Sequence, residues 1–333
     1  MTKVGLIGAG NFGFALMYHL DRKQDDNLSL CLYDRNPETV AHIQRTHTHP
    51  RYFPTVELSE KVVVTDDLSV LMTDCQVLIL AMVSTATTSI IDQIRSLITS
   101  PLTIVSVMKA LDQQTGRPLT DTISQAVTDL PVTLAVLAGG TTGTELTQEQ
   151  YLGATLACTN DNQAPFLADI ISSPYLRLQL SHDVLGVQYA GSLKNLISVL
   201  VGLVTALGFS YGTQTHVLSL AASECERLAV SLGADRQTFS FASQCWGNDM
   251  VMSATNSATR NHQFGLLLGQ GHRYQEAVDQ MAAAHKTAES VHTIAILPSI
   301  ADLDTYPLLH FLVQLSQQQA TAHQIVNIIE NYH

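Results

Sequence analysis

The sequence predicts an α/β protein, with a doubly wound parallel sheet in the N-terminal part followed by an all-α domain. Three observations carry this. Strand-length apolar runs alternate with helical patterns from the start to about residue 180. A glycine-rich turn joins the first apolar run to the first helical pattern. After about His182 strand-like runs nearly stop and long helical patterns take over. The expected boundaries are 1–181 and 182–333, with no Pro- or Ser-rich linker between them.

Val4–Ile7 is the first apolar run, and the chain turns after it through Gly8, Gly10 and Gly13. The pattern Phe14–Leu20 follows, with Leu16, Met17 and Leu20 on one stripe. In such a strand–turn–helix unit the first glycine makes the turn, the second lets the backbone approach a pyrophosphate, and the third lets helix pack on strand. Free N–H groups at the helix start face the phosphates. Leu28–Tyr33 is a second run, and Asp34 ends it about 20 residues on, where an acid bonds a ribose 2'-hydroxyl. Together these imply a Rossmann-like dinucleotide site. The alternative is a glycine turn with a solvated Asp34.

Further runs are Val62–Val64, Val77–Met82, Ile104–Met108, Val132–Leu137 and Ala154–Cys158, with helical patterns at Pro37–Gln44 and Ala86–Ile98. Doubly wound sheets bind ligands beyond the carboxyl ends of their strands, so residues just after each run are candidates. In the second half helices are expected at Val184–Leu207, Gln214–Leu232, Asp235–Ser243, Arg273–Ala288, Tyr306–Leu315 and Ala320–Ile329.

The 333 residues are 46% hydrophobic and 14% charged, with a net charge of -12. That suits a globule with a sizeable core and disfavours nucleic-acid or anionic-membrane partners. Cys31, Cys75, Cys158, Cys225 and Cys245 are scattered and form no CxxC pair, so neither a disulfide framework nor a zinc site is expected. The 13 histidines show no metal-ligand spacing, and no metal is expected. Leu196–Leu207 is read as too short to span a bilayer, and a soluble cytoplasmic protein is expected.

Two of the six lysines are unusual. Lys109 directly follows a strand run, where the ligand crevice of such a sheet lies. Lys194 sits in an apolar helical stretch with Ala190, Gly191, Ile197 and Ser198 as face neighbours, so no acid on its own helix explains it. Near a second cation and away from water, a lysine loses proton affinity, as a general acid for carbonyl reduction requires. Surface duty is the alternative for both. The stretch from Asp249 to Gly265 is rich in small hydroxyl and amide side chains and carries two formal charges, Asp249 and Arg260. It reads first as a polar loop, in which Arg260 and Asn261 have the donors to hold a phosphate.

These segments, taken in order, resemble the bacterial-type NAD(P)-dependent glycerol-3-phosphate dehydrogenases. GAGNFGFAL resembles the family's GAGSWGTAL, HPRYFP its NxxYLP, and VMKALDQQTG its SKGLExxTG. Ala138 through Glu145 lies where the family has SGP[ST]FAxE. GVQYAGSLKN resembles GVExxGALKN, and SATRNHQFG resembles SRNxxFG. The resemblance implies a homodimer that interconverts dihydroxyacetone phosphate and glycerol 3-phosphate, in glycerol-3-phosphate metabolism and phospholipid biosynthesis. It implies Lys194, Lys109 and Asp249 as catalytic residues. Gly8, Gly10, Asn11, Phe12, Gly13, Asp34, Arg35, Lys109, Gly139 and Arg260 would meet the cofactor. Lys109, Lys194, Asn195, Asp249, Ser253, Arg260 and Asn261 would meet the phosphorylated substrate. Glu145 would flank the site.

The chain departs from the pattern in places. The glycine after the first active-site lysine is Ala110, and the family's Glu in GVE is Gln188. The Gly-Pro-[ST]-Phe-Ala loop is Gly139-Gly140-Thr141-Thr142-Gly143, whose added glycines predict a looser loop. A paralogue acting on another 2-oxo or 2-hydroxy compound, or a non-catalytic dinucleotide-binding protein, is therefore the competing reading. Asp34 would repel a 2'-phosphate and favours NAD, while Arg35 would accept one and favours NADP.

Overall fold

The computed structural model describes residues 1–284 and 286–332. The chain forms two compact units. The first comprises Met1–Met108 and Leu119–Val187, and the second comprises Lys109–Pro118 and Gln188–His333.

The first unit is built on one eight-stranded sheet. Its strands are β1 (Thr2–Ile7), β2 (Leu28–Tyr33), β3 (Val63–Thr65), β4 (Cys75–Leu80), β5 (Leu102–Ser106), β6 (Val132–Gly139), β7 (Leu152–Cys158) and β8 (Leu176–Ser181), in the order β3-β2-β1-β4-β5-β6-β7-β8. The order reverses at β1, which pairs in parallel with both β2 and β4. The end of β1 is therefore the switch point where such sheets bind ligands. Val4, Leu6, Val77 and Ile79 are fully buried, as expected of strands covered on both faces.

The helices of this unit are α1 (Asn11–Arg22), α2 (Pro37–Thr46), α3 (Leu68–Met72), α4 (Thr87–Arg95), α5 (Leu119–Ala126), α6 (Gly143–Thr147) and α7 (Gln163–Ile171). Phe14, Leu16, Met17 and Leu20 bury the inner stripe of α1. His49 stands where the resembled motif has Asn. Its Nδ1 accepts the N–H groups of Arg51 and Tyr52, and its ring packs edge-on against Phe14.

Two features of the sheet differ from the sequence expectation. β7 runs antiparallel to β6, so the sheet is mixed rather than wholly parallel. β8 was not expected as a strand. Leu176 is buried, but Arg177, Gln179 and Leu180 are exposed, so it lacks the continuous apolar run of a buried strand.

The second unit is helical. Its elements are α8 (Val184–Ala206, whose first turn belongs to the first unit), α9 (Tyr211–Ser231), α10 (Asp249–Thr255), α11 (Arg260–Gly269), α12 (Tyr274–Ala283), α13 (Ser290–Ile300), α14 (Pro307–Ser316) and α15 (Ile325–Glu330). α8 and α11 meet backbone to backbone. A Cβ on Gly265 would lie 2.1 Å from the Val199 carbonyl oxygen, and one on Gly269 would lie 2.4 Å from that of Leu203. This close packing fixes the start of α11 against α8. The fully buried Glu224 of α9 accepts the N–H groups of Leu308 and Leu309, meeting the otherwise unpaired donors of α14.

Several helix expectations are corrected. Asp235–Ser243 holds only a 3-10 turn, Arg236–Phe239, and the π-helical turn Gln244–Asn248 follows it. The expected helix Arg273–Ala288 ends as α12 at Ala283, and His285 within it lies outside the described residues. α13 was not expected, because it is apolar almost all round and contains Pro298. The polar stretch from Asp249 to Gly265 is mostly helix, α10 and α11, rather than loop.

The reading of Leu196–Leu207 as a short stretch is also corrected. α8 is continuous over 23 residues and is long and apolar enough to cross a membrane, but 89% of its most apolar window is buried inside the protein. This marks a core helix, and it is the one helix among the described residues that passes such a test of length and apolarity. All five cysteines are buried and unpaired.

Candidate active site

In the first unit the site is made of backbone. Gly8 takes a φ of +105°, and its N–H donates to the Tyr33 carbonyl at 2.8 Å. A Cβ on Gly13 would sit 1.9 Å from the Gly8 carbonyl oxygen, so only glycine lets α1 start this close to the turn. Gly10 caps α1 without a side-chain hydrogen bond, and nothing lies within 4 Å of where its Cβ would be. The first N–H groups of α1, from Asn11 onward, are the donors such a helix offers to an anion. These features fit a pyrophosphate.

Asp34 is fixed toward the same loop. Its Oδ2 accepts the Ala9 N–H at 2.8 Å and its Oδ1 accepts the Asn36 N–H at 2.9 Å. Arg35 beside it is exposed.

The divergent loop is tighter than expected. Gly139 ends β6, where a Cβ would lie 2.5 Å from the Ala154 Cα. Thr142 caps α6, accepting the Glu145 N–H at 3.2 Å and donating its hydroxyl to Glu145 Oε2 at 2.6 Å. A Cβ on Gly143 would come 2.4 Å from Asn11 Oδ1, so α6 lies directly on the start of α1. The added glycine brings two elements together, and the capping interactions hold the loop in place of the missing proline and aromatic ring.

In the second unit the site is made of charge. Lys109 begins the segment Lys109–Pro118, which folds with the helical unit. A bridge between Leu111 and Pro118 closes that segment, and Gly116, at a φ of +68°, packs against Ile300. Asp249, the first residue of α10, is fully buried and shared by two lysines. Its Oδ2 accepts from Lys109 Nζ and its Oδ1 from Lys194 Nζ, both at 2.8 Å. Lys194 also donates to Ser253 Oγ at 2.5 Å, one turn along α10. Its side chain is 7% exposed, against 23% for Lys109.

This geometry shifts both buried charges. Burial lowers the proton affinity of Lys194 below that of an ordinary lysine. Asp249 partly restores it and the Lys109 charge lowers it further. Burial alone would push the Asp249 carboxyl up, but the charges and hydrogen bonds of the two lysines outweigh it, and the net direction is down. The cluster is a carboxylate held ionised by two ammonium groups, one of which is desolvated.

Arg260 and Asn261 open α11, and Asn195 is buried beside Lys194 in α8. The Ser253 carbonyl ties these parts together by accepting the hydroxyls of Ser198 at 2.8 Å and Thr259 at 2.9 Å. Arg260 pairs with Glu289, and Asn261 Nδ2 lies 3.4 Å from the same carboxylate. Sequence reasoning did not single out Glu289 or Ser198. The available signal for Glu289 was a lone acid just before an apolar run, Val291 to Leu297.

Residues 3–164 match the family described as NAD-dependent glycerol-3-phosphate dehydrogenase, N-terminus, and residues 183–327 match its C-terminal counterpart. Among curated relatives, a glycerol-3-phosphate dehydrogenase [NAD(P)+] of Corynebacterium urealyticum is 28% identical over 331 residues, covering 98% of this chain and 97% of the relative. One of Geobacter metallireducens is 31% identical over 300 residues, covering 88% and 87%. The crystal structure of glycerol-3-phosphate dehydrogenase from Coxiella burnetii superposes with a TM-score of 0.88 at 22% identity over 99% of each chain, which shows the shared fold. With both family regions matched in order over most of its length, the chain belongs to the NAD-dependent glycerol-3-phosphate dehydrogenase family.

Proposed function

We propose that the protein is an NAD(P)-dependent sn-glycerol-3-phosphate dehydrogenase, in which Lys194 is the general acid. The observation that carries this is the buried Lys194–Asp249–Lys109 cluster, with the phosphate-type donors Arg260 and Asn261 opening the next helix. When bound, the dinucleotide supplies hydride to the carbonyl carbon of dihydroxyacetone phosphate. Lys194 Nζ gives a proton to the oxygen as it becomes an alkoxide. Its lowered proton affinity brings it nearer to a matched donor at neutral pH. Asp249 keeps Lys194 and Lys109 oriented, so that two positive charges surround the developing negative one. Arg260 and Asn261 hold the phosphate and turn remote binding energy into orientation of the carbonyl.

On the cofactor side, the first-turn N–H groups of α1 hold the pyrophosphate. Asp34, oriented by Ala9 and Asn36, accepts the ribose hydroxyls and disfavours a 2'-phosphate, which supports NAD as the preferred cofactor. A cytoplasmic homodimer completes this reading. It rests on the family likeness, and sedimentation velocity tests the dimer.

The deciding assay is loss of NADH with dihydroxyacetone phosphate, run beside NADPH and a panel of other 2-oxo compounds. Dihydroxyacetone phosphate with NADH is expected to be turned over fastest. A faster unphosphorylated substrate would replace this reading with that of a paralogue.

A further inference from the structure

Glu289, the residue before α13, stands opposite both phosphate-type donors. Its Oε1 takes Nη2 of Arg260, and its Oε2 lies 3.4 Å from Asn261 Nδ2. Asn261 Oδ1 accepts the buried Ser290 N–H at 3.1 Å, which turns the amide so that its NH2 group faces the carboxylate. The start of α13 thus supplies both the acid and the group that aims Asn261 at it. The Glu289 side chain is 32% exposed and that of Arg260 is 51% exposed, so the pair stays within reach of an incoming ligand.

A carboxylate and a phosphate ask the same of a guanidinium and an amide: several N–H donors presented to anionic oxygens. Two anions on one guanidinium repel each other. From this we infer that Glu289 is an internal competitor, which occupies Arg260 and Asn261 in the ligand-free protein and must release them as the substrate phosphate arrives. The inference deepens the proposed function and rests on its assignment of Arg260 and Asn261 to the phosphate. It makes Glu289 a specificity-determining residue. A dianionic phosphate outcompetes a single carboxylate, whereas an unphosphorylated analogue offers nothing to displace it.

The test is Glu289→Gln, which keeps the shape and removes the charge. Two quantities are read: the dissociation constant of inorganic phosphate by titration, and KM and kcat for dihydroxyacetone phosphate. Both the dissociation constant and KM are expected to fall about two- to fivefold, with the change in KM rather than kcat. In an Arg260→Ala background the same substitution is expected to lower both by less than in the wild type, because the contact with Arg260 is gone and only that with Asn261 remains to be released. Phosphate binding that is unchanged or weaker in Glu289→Gln overturns the proposal and makes Glu289 a support for the donors. Weakened NADH binding with phosphate affinity unaltered overturns it too and moves Glu289 to the cofactor side. If Arg260→Ala alone leaves phosphate binding unchanged, the phosphate assignment itself has failed. If the wild-type protein does not turn over dihydroxyacetone phosphate, the phosphate titration still reports on Glu289.

Discussion

The two units build their candidate sites from different parts of the chain. The glycine loop of the first unit is contiguous, and its chemistry is main-chain: a left-handed glycine, a helix start without a side-chain cap and a carboxylate fixed by two N–H groups. The charge cluster of the second unit is assembled from side chains 55 and 140 residues apart in sequence. A contiguous backbone site is set by local sterics. A dispersed charge site depends on helix packing, and it must overcome the cost of burying its ions by pairing each with the next. Damage to the first should therefore appear as lost cofactor binding, and damage to the second as lost turnover with the cofactor still bound.

The sharpest separation of the two comes from Lys194→Ala. Turnover is expected to fall about 10²- to 10⁴-fold while NADH titration is unaffected. Normal turnover would remove Lys194 from the chemistry. Next in size is Arg260→Ala, which loses a charge-assisted contact. KM for the phosphorylated substrate should rise about 10- to 100-fold, again with NADH binding retained.

The converse experiment is Gly13→Ala. The new Cβ would meet the Gly8 carbonyl oxygen, so α1 must move away from the turn. NADH binding should weaken roughly tenfold. Phosphate binding to the second unit, read by titration, should stay as it was. Equal loss of both would mean that the two sites do not behave separately.

The smallest effect is expected in the pH profile. With Lys194 as the proposed general acid, reduction needs it protonated, and the rate should fall as pH rises through the lowered Lys194 value. Lys109→Met removes a positive charge that helps to keep that value down, and it leaves Asp249 to Lys194 alone. Both changes favour the protonated form, so the alkaline limb should move to higher pH. A limb that stays in place would show that Lys109 does not set the charge state of Lys194.

The same contrast explains how much was legible in the sequence. Gly8, Gly10, Gly13 and Asp34 can be read because the constraint on each lies within a strand–turn–helix unit. Lys194 stood out as a lysine without an acid on its own helix, but its partner, Asp249, came only through family likeness, since nothing local links them. α10 and α11 were hidden by their serines, threonines and asparagines, which disfavour helix in isolation. In the folded chain Ser198 and Thr259 satisfy the Ser253 carbonyl, and the glycines of α11 pack on α8. Glu289 was hidden because the stretch before α13 reads as the tail of the preceding helix. β8 was missed because a half-exposed strand carries charged and amide side chains.

The placement of Lys109–Pro118 with the helical unit has a consequence for how such enzymes are recombined. The chain is not one unit followed by the other. The helical unit is encoded in two pieces, and the shorter lies within the half that carries the sheet. A chimera joined near residue 182 would take Lys194 and Asp249 from one parent and Lys109 from the other. The shared carboxylate would then pair with ammonium groups from two different parents. A transplant meant to carry the whole charge cluster has to exchange residues 109–118 as well.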